Sequence, residues 1–261
     1  MHPIVPLLHD FKNMRDALPD APAPEASHYP GGLARSRWHM EQGLMVFERY
    51  FGRKPQGVWL SEGGVSEDAL SLLDEFNIRW TASGEGVWGK SCEISGIQGE
   101  DVASKRALFQ SYQQSQHQVR LFFRDDGLSD LIGFKYSTWN AEDAAADFVG
   151  NLTNIATFLG DHASDQVVSI ILDGENAWEY YPDNAHYFLD ALYQQLSTAP
   201  SLNMTTFAEA TQLPAQPLPR LSAGSWVYGS FSTWIGSIDK NRGWDYLVAA
   251  KHAYDQTLAK G

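Results

Sequence analysis

An alternation limits the fold of this chain more than any other feature. Short runs rich in β-branched and aromatic residues recur along its 261 residues, separated by segments with helical periodicity. The runs fall at 2–8, 57–60, 79–82, 119–124, 167–172 and 204–207, and the helices at roughly 35–51, 66–77, 141–160 and 184–197. The run VVSIIL at 167–172 is apolar but for one serine, as expected of a strand covered on both faces. Strands joined through helices run parallel, so the reading is an α/β fold with a parallel sheet and outer helices, open or closed into a barrel. A chain of this length suits a single domain. Ser66 stands before Glu67 and Asp68, and Asn140 before Glu142 and Asp143. Each can accept from the first free N–H groups of a helix, and the acids then sit favourably in its first turn. Three stretches rich in Pro, Ala or Gly (18–32, 83–104 and 213–225) read as irregular.

Charge narrows the partners. A net charge of −13 and a pI near 4.9 oppose binding to nucleic acid or to an anionic membrane, which are themselves polyanions. No apolar stretch approaches the roughly 18 residues of a membrane span. The opening MHPIVPLLHD lacks the charged and apolar regions of a secretion signal, which points to the cytoplasm. Cys92 is the one cysteine, so neither an intramolecular disulfide nor a cysteine zinc site is expected. The histidines show no metal-ligand spacing, and no metal or other cofactor is expected. Nine tryptophans are many for this length, and core packing is expected to take at least half of them. Some of them suit the C–H faces of sugar rings, which stack on aromatic surfaces.

In parallel β/α sheets chemistry gathers at the carboxyl ends of the strands. Glu62 follows the first of the well-defined runs, Asp125 and Asp126 follow 119–124, and Asp173, Glu175 and Asn176 follow VVSIIL. Several acids therefore face one rim. Like charges brought together push their pKa values apart, leaving one group ionised and another protonated near neutral pH. Splitting a glycosidic bond needs that pair: a carboxylate to attack, and a carboxylic acid to protonate the leaving oxygen.

The segments GVWLSEGGVS at 57–66 and VSIILDGENAWEYY at 168–181 resemble glycoside hydrolase family 57, in particular its amylopullulanase and α-amylase-like branch. Supporting segments are HPIVPLL at 2–8, LFFRDDGLSDLIGFKYSTW at 121–139, MTTFAEA at 204–210 and GSWVYGSFSTWIG at 224–236. The resemblance implies a (β/α)7-type barrel and a retaining mechanism on α-1,4, or also α-1,6, glucosidic bonds of starch-like glucans. It places the nucleophile at Glu62 and the general acid/base at Asp173. The family's early His-Gln-Pro motif is absent, and so is a later aromatic motif of the helical region. The expectation is thus a single catalytic domain over 1–261 whose barrel, incomplete at its N-terminus, spans roughly 1–210 and whose helical region starts at 211. A barrel short of a strand has an open sheet edge, through which the chain would self-associate. His2, Trp59, Asp125, Glu175, Asn176, Trp178, Trp226 and Trp234 are the candidate sugar contacts. Asp125 either binds hydroxyls or holds Arg124, and strand alternation turns Trp59 mostly into the core. Other readings are a branching enzyme, a 4-α-glucanotransferase, or a non-catalytic glucan-binding or regulatory protein. A metal-dependent deacetylase is disfavoured because no His-x-x-x-His occurs.

Overall fold

The computed structural model describes residues 4–175 and 178–259. Helices α1 (Val5–His9), α2 (Met14–Ala17) and α3 (Gly32–Phe51) precede strand β1 (Gly57–Val58). Helix α4 (Glu67–Glu75) leads to β2 (Trp80–Ser83), and α5 (Glu85–Ile94) and α6 (Glu100–Ala103) lead to β3 (Ser111–Gln113) and β4 (Arg120–Phe123). Then come α7 (Asp126–Asp130), α8 (Ala141–Leu159), α9 (His186–Thr198), α10 (Phe207–Ala210), β5 (Ala215–Pro217) and α11 (Ile238–Leu258). The strands form one sheet in the order β1-β2-β4-β3-β5. All its pairings are parallel except that of β3 with β4, so the sheet is dominated by parallel strands, as the alternation predicts.

Burial on both faces makes β4 the centre of this sheet. Leu121, Phe122 and Phe123 are all fully buried. Leu121 and Phe123 join the largest core cluster with Leu70, Leu73, Val87 and Leu108, while Phe122 packs on the other face with Ala82, Trp59, Trp80 and Phe207. Consecutive strand residues point to opposite faces, so this strand locks two layers at once. Each fully buried Phe contributes about 1.5–3 kcal/mol relative to leaving it exposed. The helix starts follow the local signals. Ser66 Oγ accepts from Ala69 N at 3.1 Å, and Asn140 Oδ1 accepts from Glu142 N at 3.0 Å.

Several expectations are corrected. The described part of the run 2–8, residues 4–8, is not a strand: Val5–His9 is helical, with Pro6 in the first turn. Proline has no N–H to give a sheet ladder, yet fits the first turn, whose N–H groups lack intrahelical partners. The segment 204–207 is also not a strand, because Thr206 and Glu209 form a reciprocal capping box that starts α10. The Gly-rich stretch 83–104 contains α5, stabilised by burial of Val87, Trp88 and Cys92. Finally, the region from 211 is helical only from Ile238. Before that it supplies β5 and a Val65–Gly224 bridge, so it belongs to the core.

The run 167–172 is likewise not a strand covered on both faces: Val168, Ile170, Ile171 and Leu172 are half-buried, and among the described residues it meets the sheet through one parallel bridge, Arg124 to Ser169. Side chains answer its main chain elsewhere: Ile171 O accepts from Arg124 Nε at 2.9 Å, and Ile171 N donates to Ser129 Oγ at 3.2 Å. No helix among the described residues is long and apolar enough to cross a membrane.

Because Ser66 is buried and its hydroxyl closes the first turn of α4, Ser66→Ala is expected to cost about 1 kcal/mol. In a thermal melt that is a loss of roughly 2–4 °C, and the urea m-value should not change.

Candidate active site

The chain turns sharply as it leaves β1. Glu62 has φ 57° and ψ 25°, a left-handed conformation that costs a non-glycine residue free energy and that clusters at functional sites. Gly63 follows at φ 57°, and a Cβ there would stand 2.6 Å from the Trp59 ring. Ser83 Oγ, at the end of β2, donates to Gly63 O at 2.7 Å and fixes the turn. The Glu62 Oε2 accepts from Trp226 Nε1 at 3.0 Å. Trp226 N also donates to Glu62 O at 3.2 Å.

Close backbone contact holds Trp226 there. A Cβ on Gly84 would lie 2.6 Å from Trp226 Cα, and one on Gly86 would lie 2.9 Å from Gly229 Cα. Only glycine lets the 224–230 segment lie against the first turn of α5. The Trp226 ring meets Trp59 edge-on at 5.0 Å between centroids, and the Arg124 guanidinium lies 5.4 Å from its centre.

Arg124 follows β4 directly and is buried. Its Nε donates to Ile171 O, its Nη1 donates to Asp126 Oδ1 at 2.8 Å, and its Nη2 donates to Asp130 Oδ1 at 2.6 Å. Asp126 and Asp130, rather than Asp125, therefore hold Arg124. Asp125 is buried and caps α7, its Oδ1 accepting from Leu128 N at 2.8 Å. Burial pushes the carboxyl groups of Asp125 and Asp126 above the ordinary range. The Leu128 hydrogen bond for Asp125, and Arg124 for Asp126, pull each part of the way back.

Asp173 follows the extended segment, half-buried, and its Oδ1 accepts from Glu175 N at 3.0 Å. Glu175 is exposed. His2 and Asn176 lie outside the described residues. Trp178 is turned towards the second core, edge-on to Tyr181 at 5.6 Å and near Phe188. Trp234 packs beside the N-terminal cluster, and its carbonyl accepts from Trp244 Nε1 at 3.0 Å. Of the aromatic candidates, Trp59 and Trp226 are brought to Glu62. A groove of about 460 Å³ opens nearby in the chain, where Tyr181 and Pro182 meet Trp139 and Tyr187, but neither carboxylate lines it.

Glu85 was not among the sequence candidates. It starts α5 directly beyond β2, at the same sheet end; Asp126 N donates to its Oε2 at 3.3 Å, and Lys105 Nζ lies 2.5 Å from its Oε1. Its signal was a strand end followed by an acid, hidden because the stretch reads as irregular. No group of His, Cys, Asp and Glu among the described residues could hold a metal ion.

These acids stand at the carboxyl ends of neighbouring parallel strands, the end at which β/α folds carry their sites. The chain belongs to glycosyl hydrolase family 57, whose model matches residues 1–221. Its fold is similar to that of a GH57-type branching enzyme from Pyrococcus horikoshii (TM-score 0.62, 16% identity, 80% of this chain and 47% of that one). It is similar also to the α-amylase AmyC from Thermotoga maritima (0.56, 13%, 76% and 48%) and to 4-α-glucanotransferase from Thermococcus litoralis (0.54, 19%, 71% and 27%). The chain thus spans less than half of each of these. No curated protein matches the sequence.

A raised carboxyl pKa has a signed consequence for stability. The folded chain holds the Asp125 proton to higher pH than the unfolded chain does, so ionisation costs stability as pH rises from the unfolded value through the folded one. Asparagine keeps the capping oxygen without the charge. The stability of Asp125→Asn relative to the parent should therefore increase between pH 3 and pH 7, as measured by urea unfolding at each pH.

Proposed function

We propose that this chain is the catalytic core of a retaining glycosidase acting on α-glucans, with Glu62 as nucleophile and Asp173 as general acid/base. The observation that carries the reading is the Glu62 carboxylate, set on a strained turn and oriented by the Trp226 indole. Such orientation is what a nucleophile that must meet an anomeric carbon in line requires. Asp173 lies four positions beyond Ser169, which bridges Arg124 just after β4, and this supports putting it at the same sheet end as Glu62.

In the first step Glu62 attacks the anomeric carbon while Asp173 gives its proton to the departing glucosidic oxygen, leaving a glycosyl ester on Glu62. In the second, Asp173 takes a proton from an incoming hydroxyl, whose oxygen displaces Glu62 with a second inversion and net retention. Carboxyl groups roughly 5–5.5 Å apart suit this route. Trp59 and Trp226 lie beside Glu62 and offer rings to a sugar, and Glu175 and Asn176 follow the acid in sequence. His2 is retained as a candidate rim contact on sequence grounds alone, with Asp125, Trp178 and Trp234 in supporting roles.

When the incoming hydroxyl is water the reaction is hydrolysis of α-1,4 or α-1,6 bonds. When it belongs to another glucan, the same residues carry out transfer. Similarity to a branching enzyme and a glucanotransferase favours keeping this second reading. The products formed from starch, pullulan and maltooligosaccharides separate the two: shorter reducing chains for hydrolysis, redistributed or branched chains for transfer.

Glu62→Gln removes the nucleophile but keeps the shape and an acceptor for Trp226. It is expected to lower turnover of a maltooligosaccharide by about 10⁴-fold or more, with melting unchanged. Parental turnover in the purified variant would remove Glu62 from the mechanism.

A further inference from the structure

We propose that Arg124 is the positioning residue that holds both carboxylates of this site in register. The inference rests on the reading of Glu62 and Asp173 given above and goes beyond it by naming what orients them.

Arg124 stands at the end of the strand that locks the two core layers, so its backbone is among the most constrained in the molecule: Arg124 N donates to Ser83 O at 2.9 Å, and Ser169 pairs with it from the other side. From that fixed point its guanidinium reaches in two directions. Towards Glu62, it lies 5.4 Å from the centre of the Trp226 ring, whose Nε1 donates to the carboxylate. A cation over an indole face attracts the ring, and fixing the ring plane fixes the direction of its N–H. Towards Asp173, Nε donates to Ile171 O at 2.9 Å, two positions before the acid in the chain. Ser129 secures the same peptide from its N–H side at 3.2 Å.

The remaining donors identify the role as orientation rather than charge. Asp126 and Asp130 take Nη1 and Nη2, so the cation is neutralised within the protein. Glu85 accepts from Asp126 N and is itself paired with Lys105, which extends the network to α5. Lysine cannot replace this residue: its ammonium has no planar fork to meet a carbonyl and two carboxylates while stacking on an indole.

The test uses the full chain, with ¹⁵N-labelled tryptophan, in parental, Arg124→Ala, Arg124→Lys, Glu62→Gln, Asp173→Asn and Trp226→Phe forms. Rates are measured on maltoheptaose. Arg124→Ala is expected to lose roughly 100-fold in kcat while KM stays within about threefold. Millimolar guanidinium should return about tenfold to Arg124→Ala and nothing to Arg124→Lys or Glu62→Gln. The Trp226 indole resonance, identified by its loss in Trp226→Phe, should move in both Arg124 variants. An Arg124 variant that keeps kcat within about threefold of the parent overturns the proposal, and Arg124→Lys supplies this comparison if the alanine form does not fold. An unmoved Trp226 resonance overturns it as well, because a merely stabilising arginine would leave the indole in place. That resonance is read without turnover. Full activity in Glu62→Gln and Asp173→Asn would instead dismiss the carboxylate assignment, which separates the two failures.

Discussion

A guanidinium buried in a protein must have its donors answered, because removing that charge from water costs several kcal/mol unless partners replace the solvent. In this chain the answers to Arg124 come from separate parts of the sequence: Asp126 and Asp130 from α7, the carbonyl of Ile171 from the segment after α8, and the ring of Trp226 from the segment before α11. Satisfying one side chain therefore assembles the mouth of the sheet. The β4 strand that precedes it is buried on both faces and leaves Arg124 little room to relax. Removing a partner would expose an uncompensated charge rather than a small gap, which makes the arrangement strongly interdependent.

The second constraint is steric. Gly63 against Trp59, Gly84 against Trp226 and Gly86 against Gly229 are approaches that a single methyl group would block. They bring the 224–230 segment onto the turn after β1, where it orients Glu62. Left-handed backbone at Glu62 itself is an unfavourable conformation that persists because Ser83 and Trp226 hold the turn from both sides. Strain of this kind and buried carboxyl groups of raised pKa occur together at the sheet's carboxyl end, and both are features of sites where geometry serves chemistry more than stability.

Family membership and these constraints bear on different questions. Membership in glycosyl hydrolase family 57 sets the expected class of chemistry, while the solved structures, at 13–19% identity, speak for the fold. In a glycosidase the choice between water and a sugar as acceptor depends on loops that shape the site and exclude solvent.

Local signals sufficed for much of the architecture. The helices started by Ser66 and Asn140, the strand β4 and the acids following strand ends depend on residues a few positions apart, so they are legible in a linear string. So was the family, through its motif segments. The same string misread residues 4–8 as a strand because their apolar run outweighed the helix-starting proline. It also hid α5, and with it Glu85, because glycines needed for close approach look like loop residues. Tertiary structure alone decided the rest. The contact between Trp226 and Glu62 spans 164 positions, and that between Arg124 and Ile171 spans 47. Such pairings depend on which segments the sheet brings to one end and how closely their backbones approach. No periodicity, cap or charge pattern along the chain encodes that distance.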